Sequence, residues 1–96
     1  MPLKYDDPKI QLFDVPTPEG PVPSVVRMIE SSNIKWVGWP ERPTQTPLMF
    51  VEFIDGSRYV YFGVTRQRAT AAAYAESTGS YFAKKIKGKF DYLKLR

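Results

Sequence analysis

Two residue types are missing outright from the 96-residue chain: it has no cysteine and no histidine. Without cysteine there is no disulfide, no thiolate nucleophile and no thiolate metal ligand. Without histidine there is no imidazole base near neutral pH, and the commonest zinc ligand is gone. A disulfide-free chain fits a reducing compartment. Long apolar runs are absent as well. None approaches the ~20 residues of a membrane-spanning helix, and the N-terminus shows no charged-then-apolar leader pattern. The expectation is a soluble, cytoplasmic protein with no membrane contact. Acidic residues are scarce in the rear of the chain. Positions 58–96 hold nine Lys and Arg against only Glu76 and Asp91, while positions 1–57 hold five basic and eight acidic side chains. A net charge of +4 therefore divides into −3 in front and +7 behind. Such asymmetry within one small domain implies a basic face that attracts a polyanion, or a lysine-rich surface that only confers solubility.

What is present is a core for one domain. Fourteen residues are Phe, Tyr or Trp and 43% are apolar, and a chain of this length is too short to build two cores. Six of the nine prolines fall within positions 1–24. Proline lacks an amide donor and restricts the residue before it, so this stretch is predicted to be an extended or irregular arm, with Ile10–Phe13 available as an edge strand or docking patch. A β-branched run opens at Val25. After Ser31-Ser32-Asn33, Ile34–Trp39 reads as a strand with Ile34 and Trp36 on one face and Lys35, Val37 and Trp39 on the other. Positions 40–47 carry three prolines and form a loop.

Leu48–Ile54 and Arg58–Phe62 flank Asp55-Gly56, the strongest short-range hairpin signal in the chain. A two-residue closure pairs Phe53 with Arg58, Val51 with Val60 and Met49 with Phe62. Met49, Val51, Phe53, Val60 and Phe62 then face the core, and Phe50, Glu52, Ile54, Tyr59 and Tyr61 face outward; a bulge would exchange the faces of one strand. Thr65 is a predicted N-cap for an alanine-rich helix over 66–76. Gly79 suits the left-handed position that ends it, and Ser80 suits the cap of a second helix whose Phe82, Ile86 and Phe90 form one apolar stripe.

The spacing Ser31-Ser32-x-Ile34, then Phe53-x-x-Gly56-x-x-Tyr59-x-Tyr61-x-x-Val64, then Ser77-x-Gly79-x-Tyr81-Phe82-x-x-x-Ile86 resembles the KTSC domain. The likeness covers residues 31 to about 90. That family is named for similarity to the C-terminal part of some lysyl-tRNA synthetases and occurs as small stand-alone bacterial and phage proteins. The resemblance thus implies RNA contact. Two positions depart from the pattern: Trp39 stands where an aromatic and a short turn are usual, and Thr65 stands where proline commonly follows the valine. The loop over 40–47 is a further departure.

Catalysis would need paired carboxylates, an activated lysine or a bound metal. Asp6-Asp7 lies in the arm, Asp55 belongs to a turn, and Glu52 reads as an ordinary polar residue on an outer strand face. No glycine-rich phosphate loop is present. The expectation is a non-enzymatic module with no cofactor and no metal. Two constellations point to a ligand. Ser77, Gly79 and Ser80, with Lys84 one turn on, would place free helix amides and hydroxyls around a phosphate, although the same residues also make a plain helix–helix turn. Tyr59 and Tyr61, flanked by Arg58, Arg66, Arg68, Tyr81, Lys84, Lys85, Lys87 and Lys89, would make a stacking platform rimmed with cations, unless the helices bury both rings.

The predicted fold is α+β: a small antiparallel sheet of three to four strands followed by two packed C-terminal helices. Residues 1–24 form the arm and 25–96 the domain. The predicted role is binding of nucleic acid or a phosphate-bearing nucleotide. The alternative is a phage-type accessory or structural protein whose protein partner meets the arm, Trp36 and Trp39, either a host factor or another copy of the chain.

Overall fold

Prolines bracket the first strand instead of interrupting it. The computed structural model describes residues 7–96; Pro2 of the arm and Asp6 of the Asp6-Asp7 pair lie outside the described residues. Strand β1 (Ile10–Val15) runs between Pro8 and Pro16 and pairs antiparallel with β2 (Val22–Met28). The turn between them closes through mutual backbone hydrogen bonds of Thr17 and Gly20, with Gly20 at φ +111°. Pro23 lies near the start of β2, where its carbonyl accepts from the Glu41 amide and its missing donor breaks no central ladder.

The chain continues through β3 (Ile34–Pro40), β4 (Leu48–Phe53) and β5 (Arg58–Phe62), then α1 (Arg66–Ala73), α2 (Thr78–Lys85) and β6 (Tyr92–Lys94). All six strands join one antiparallel sheet in sequence order, and the two helices fill the β5–β6 connection. The sheet therefore has six strands where three to four were expected. The proline-rich stretch supplies β1 and the start of β2, and β6 adds the far edge.

Two local features decide which side chain faces which way. The β4–β5 loop contains three residues, not two: the Phe53 amide donates to Ser57 O at 2.9 Å, and Gly56, at φ +92°, donates to Phe53 O at 2.9 Å. Three-residue loops of this kind need a left-handed third residue, which glycine accepts without a Cβ clash. The register becomes Met49 with Tyr61, Val51 with Tyr59 and Glu52 with Arg58, one residue away from the two-residue expectation. Tyr59 and Tyr61 thereby share a face with Met49 and Val51, while Val60 and Phe62 turn to the other side. In β3, the pairing slips between Ile34 and Trp36. Lys35 is the extra residue of a bulge, so Ile34 joins Val37 and Trp39 on one face and Trp36 goes to the opposite one.

Both helices cover the face that holds Val25, Ile34, Val37, Trp39, Met49, Val51 and Tyr61. Ala69, Ala72 and Ala73 are the buried side of α1, and small side chains let a helix lie close to the sheet. From α2 and the turn after it, Phe82 and Ile86 are buried; each such side chain contributes about 1.5–3 kcal/mol of burial. The opposite face has no helix. Val15, Val26, Trp36, Phe50 and Val60 are buried there beneath Phe13, Leu48, Phe62 and Leu95, and Phe13 of β1 reaches the Trp36 ring edge-on at 5.5 Å between centroids. Glu52 sits on this second face, 3% exposed, and is not an ordinary outer-face polar residue. Arg58 Nε and Nη2 donate to its Oε1 at 2.9 and 2.7 Å, Arg96 Nη2 at 3.0 Å, and Lys35 Nζ lies 3.5 Å from Oε2. A buried carboxylate requires such partners.

Helix α1 stops at Ala73 and not at 76, and Arg27 bonds to that end. Its Nη1 donates to Ala73 O at 2.8 Å, its guanidinium stacks 4.1 Å from the Tyr74 ring, and its Nε donates to Asp7 Oδ2 at 2.9 Å. A cation on the last carbonyls is favourable at a helix C-terminus. The Tyr74 hydroxyl donates to the same Asp7 oxygen, and the Lys9 amide donates to Asp7 Oδ1. The Arg27 hydrogen bond, followed by that of Lys9, holds the Asp7 carboxyl at about 2, below its ordinary 3.8. A carboxylate whose pKa falls on folding stabilises fully above its unfolded pKa, and that contribution is lost as pH drops from about 4 through about 2.

Denaturant unfolding across this window is expected to show stability declining with acid, and Asp7→Asn to lower stability at neutral pH while flattening the decline; equal slopes for the two proteins would remove Asp7 from the account. Gly56→Ala is expected to cost about 1–2 kcal/mol in the same assay because of its left-handed backbone.

Candidate functional site

Helix α2 and the turn after it present four rows, one inward and three outward, and these separate the residues that the sequence groups together. Thr78, Phe82 and Ile86, four apart, point into the core. Rotated by one residue, Gly79, Ala83 and Lys87 line a cleft against the hairpin. Rotated the other way, Tyr81 lines a shallow dent shared with Thr65, Gln67, Arg68 and Ala71 of the α1 side. Ser80 and Lys84 lie between these two rows on the exposed side.

The cleft is built around aromatic rings and has a volume of about 320 Å³. It is lined by Phe53, Tyr59 and Tyr61 of the hairpin, Phe82 of α2, Asn33 and Ser57, and the exposed Tyr92 of β6. Tyr61 meets Phe82 edge-on at 5.4 Å and Tyr92 at 5.6 Å with a 37° tilt; Tyr59 lies 5.8 Å from Tyr92 and 5.7 Å from Phe53. These contacts use up much of the Tyr61 ring, which is buried, whereas Tyr92 is 61% exposed. Burial first, then the neighbouring Tyr59 and Tyr92, raises the Tyr61 hydroxyl pKa above its ordinary 10.0, so the phenol stays neutral as a donor and acceptor at physiological pH. The rings left open in the cleft are Tyr92 and, in part, Tyr59, whereas Tyr61 of the expected Tyr59–Tyr61 pair is buried.

Four of the expected ligand residues, Tyr59, Tyr61, Gly79 and Lys87, meet in this cleft. The others do not. Arg68 and Tyr81 line the dent, Arg66 lies at the start of α1, and Lys84 and Lys85 project from the last turn of α2. Among the described residues, Arg66, Arg68, Lys84, Lys85, Lys87 and Lys89 belong to no ion pair, whereas Arg58 is committed to Glu52 and lies 5.1 Å from the Trp36 ring.

The Ser77–Ser80 segment differs from expectation. Helix α2 starts at Thr78 and its N-cap is Ser77, whose Oγ accepts from the Ser80 amide at 3.2 Å. Ser80 sits inside the first turn. Gly79 has no positive φ and ends no helix; a Cβ there would lie 3.2 Å from Asn33 Oδ1 and 3.8 Å from Ser31 Oγ. Its lack of a side chain serves the close approach of α2 to the 31–33 loop. In that loop, Ser31 Oγ accepts from the Asn33 and Ile34 amides and donates to Asn33 Oδ1 at 2.9 Å.

Trp36 and Trp39, expected as protein-interface anchors, are both buried, and of the Ile10–Phe13 patch Phe13 packs on Trp36 while Leu12 is exposed. Among the described residues no group of three or more acidic side chains is placed to hold a metal ion, and no helix is long and apolar enough to cross a membrane.

A comparison with curated proteins returns no match. Residues 30–90, however, match the family model of the KTSC domain. That span runs from the Ser31–Asn33 loop through the hairpin and both helices, so it contains every wall of the cleft except Tyr92. It leaves out β1, β2 and β6. With well over half of its length matched, the chain belongs to the KTSC domain family.

Proposed function

We propose that this protein is a non-catalytic binding module that holds nucleic acid or a nucleotide in the cleft between the β4–β5 hairpin and α2. One observation carries the reading: three tyrosines meet in a cleft whose helical wall ends in Lys87, beside exposed lysines that no described acid neutralises. A base stacks on the exposed Tyr92 ring and the inner Tyr59 with its phosphate at Lys87, while Lys84, Lys85 and Lys89 on neighbouring sides add attraction at longer range. Single-stranded or looped RNA suits this geometry better than duplex, because a base must leave its stack to enter. The kinship of the family name to tRNA enzymes agrees with that choice.

Fluorescence anisotropy with a labelled single-stranded RNA is the test. Binding is expected to weaken steeply with salt. Lys84→Glu, Lys85→Glu and Lys87→Glu together are expected to lower the log–log salt slope by about 2. Tyr92→Ala is expected to cost about 1–3 kcal/mol of affinity without changing that slope, since a lost stack carries no counterions. No binding at low salt, or a slope untouched by the lysine variant, overturns the proposal.

A second reading, a phage-type accessory protein that docks a partner or self-assembles, rests on β1. Among the described residues it is an edge strand with Leu12 58% exposed, and an unpaired edge can take a further strand. Removing residues 1–24 would delete β1 and the start of β2, so it is not a clean test of this surface. For self-assembly, light scattering across a concentration series is expected to show a dimer that Leu12→Glu dissociates; a monomer throughout removes strand pairing between copies.

A further inference from the structure

Strand β6 contributes Tyr92 to the wall of the tyrosine cleft, yet it buries little of itself. All three of its residues are exposed, and among the described residues it pairs with β5 alone. A short strand with one neighbour opens at small cost. The contacts at its two ends therefore set how firmly Tyr92 is kept beside Tyr59 and Tyr61. The near end follows Phe90, which packs against the helix-covered core, and the Asp91 carbonyl accepts from the Phe62 amide at 2.9 Å. The far end is held from the other side of the sheet.

Register explains how. Tyr92 and Lys94 lie opposite Tyr61 and Tyr59 and share their face, and simple alternation would add Arg96 to it. The ladder breaks first: the Leu95 and Arg96 amides both donate to Arg58 O, at 2.7 and 3.3 Å. Two residues facing one make a bulge, which returns Arg96 to the face of Leu95. There Leu95 packs against the cluster that holds Trp36 and Val60. Arg96 Nη2 donates to Glu52 Oε1 at 3.0 Å, and Arg96 Nε donates to Gly56 O at 3.3 Å. Glu52 is buried and already takes two bonds from Arg58, so it gives Arg96 a fixed point and not a mobile surface acid.

We propose that Arg96 is a positioning residue for the tyrosine cleft. Bound to Glu52 on the helix-free face, it keeps β6 closed and so keeps Tyr92 in the cleft wall on the opposite face. Arg96 and Tyr92 both lie beyond residues 30–90 matched by the family model, so this latch is something the chain adds to the matched span. The hold on β6 follows from the geometry alone; its consequence for a guest rests on the binding reading above.

Amide hydrogen exchange of the full chain, followed by NMR, is the test. In Arg96→Ala, Arg58 and Lys35 still partner Glu52, so the core is kept. Exchange of the Leu95 amide is expected to rise about fivefold, a modest change because Arg96 is 59% exposed and water screens the pair. Amides joining β1 to β2, whose local opening leaves β6 in place, are expected to be unaffected. Arg96→Lys keeps a cation beside Glu52 and is expected to recover part of the lost protection. Single-stranded RNA at about ten times its Kd is expected to slow the Leu95 amide about tenfold, since only the closed strand completes the cleft. Unchanged Leu95 exchange in Arg96→Ala, an equal rise across the whole sheet, or a lysine variant no better than alanine overturns the latch. RNA that binds without slowing Leu95 overturns its link to the cleft. RNA that does not bind at all overturns the binding reading instead, and the exchange of the free protein still decides the role of Arg96.

Discussion

At Gly56 the backbone takes φ +92°, and the Phe53–Ser57 pair closes a loop of three residues around it. Every rung of the β4–β5 ladder is counted from that closure. Because side chains alternate along a strand, a shift of one rung sends each β5 residue to the other face. The closure adopted here puts Tyr59 and Tyr61 beneath the helices beside Met49 and Val51, and puts Arg58 opposite Glu52. The tyrosine cleft and the buried ion pairs on the reverse face are two results of one turn. The Lys35 bulge acts similarly one strand earlier, delivering Ile34 to the helical side and Trp36 to the other.

Much of the architecture was legible in the sequence, and each miss has its own physical reason. Asp-Gly located the hairpin, Thr65 capped α1 as expected, and the Phe82–Ile86–Phe90 stripe marked the side of the second helix that meets the core. Register was not legible, since a two- and a three-residue loop around the same Asp-Gly leave the same local pattern. Nor was the bulge, because Lys35 carries no glycine or proline signal. The strand count fell short because Ile10–Val15 and Tyr92–Lys94 are short and exposed on several positions, and only pairing to a neighbour makes them strands. For the candidate site, residues adjacent in sequence were grouped as one surface, whereas a helix spreads 80, 81, 84, 85 and 87 over different sides. Asn33 and Tyr92 were not among the expected site residues, although both line the cleft.

Ion pairs on both faces of the sheet show how the basic excess is divided. Some cations are structural: Arg58 and Arg96 on Glu52, and Arg27 on Asp7 and the end of α1. Arg66, Arg68, Lys84, Lys85, Lys87 and Lys89, on the two helices and the turn after α2, belong to no ion pair among the described residues. Net charge alone therefore overstates how much positive charge is left unpaired, and the exposed lysines near α2 are a large share of that unpaired part.

Tyr92 belongs to a strand of three exposed residues paired on one side only. Short, solvent-facing edges are where amide exchange proceeds by small local openings instead of global unfolding. A guest resting on Tyr92 would be lost whenever β6 detaches, and its presence would hold the strand closed by the same free energy. Occupancy of the cleft and fraying of this edge are consequently one linked equilibrium, and the protection of a few backbone amides would serve as its gauge.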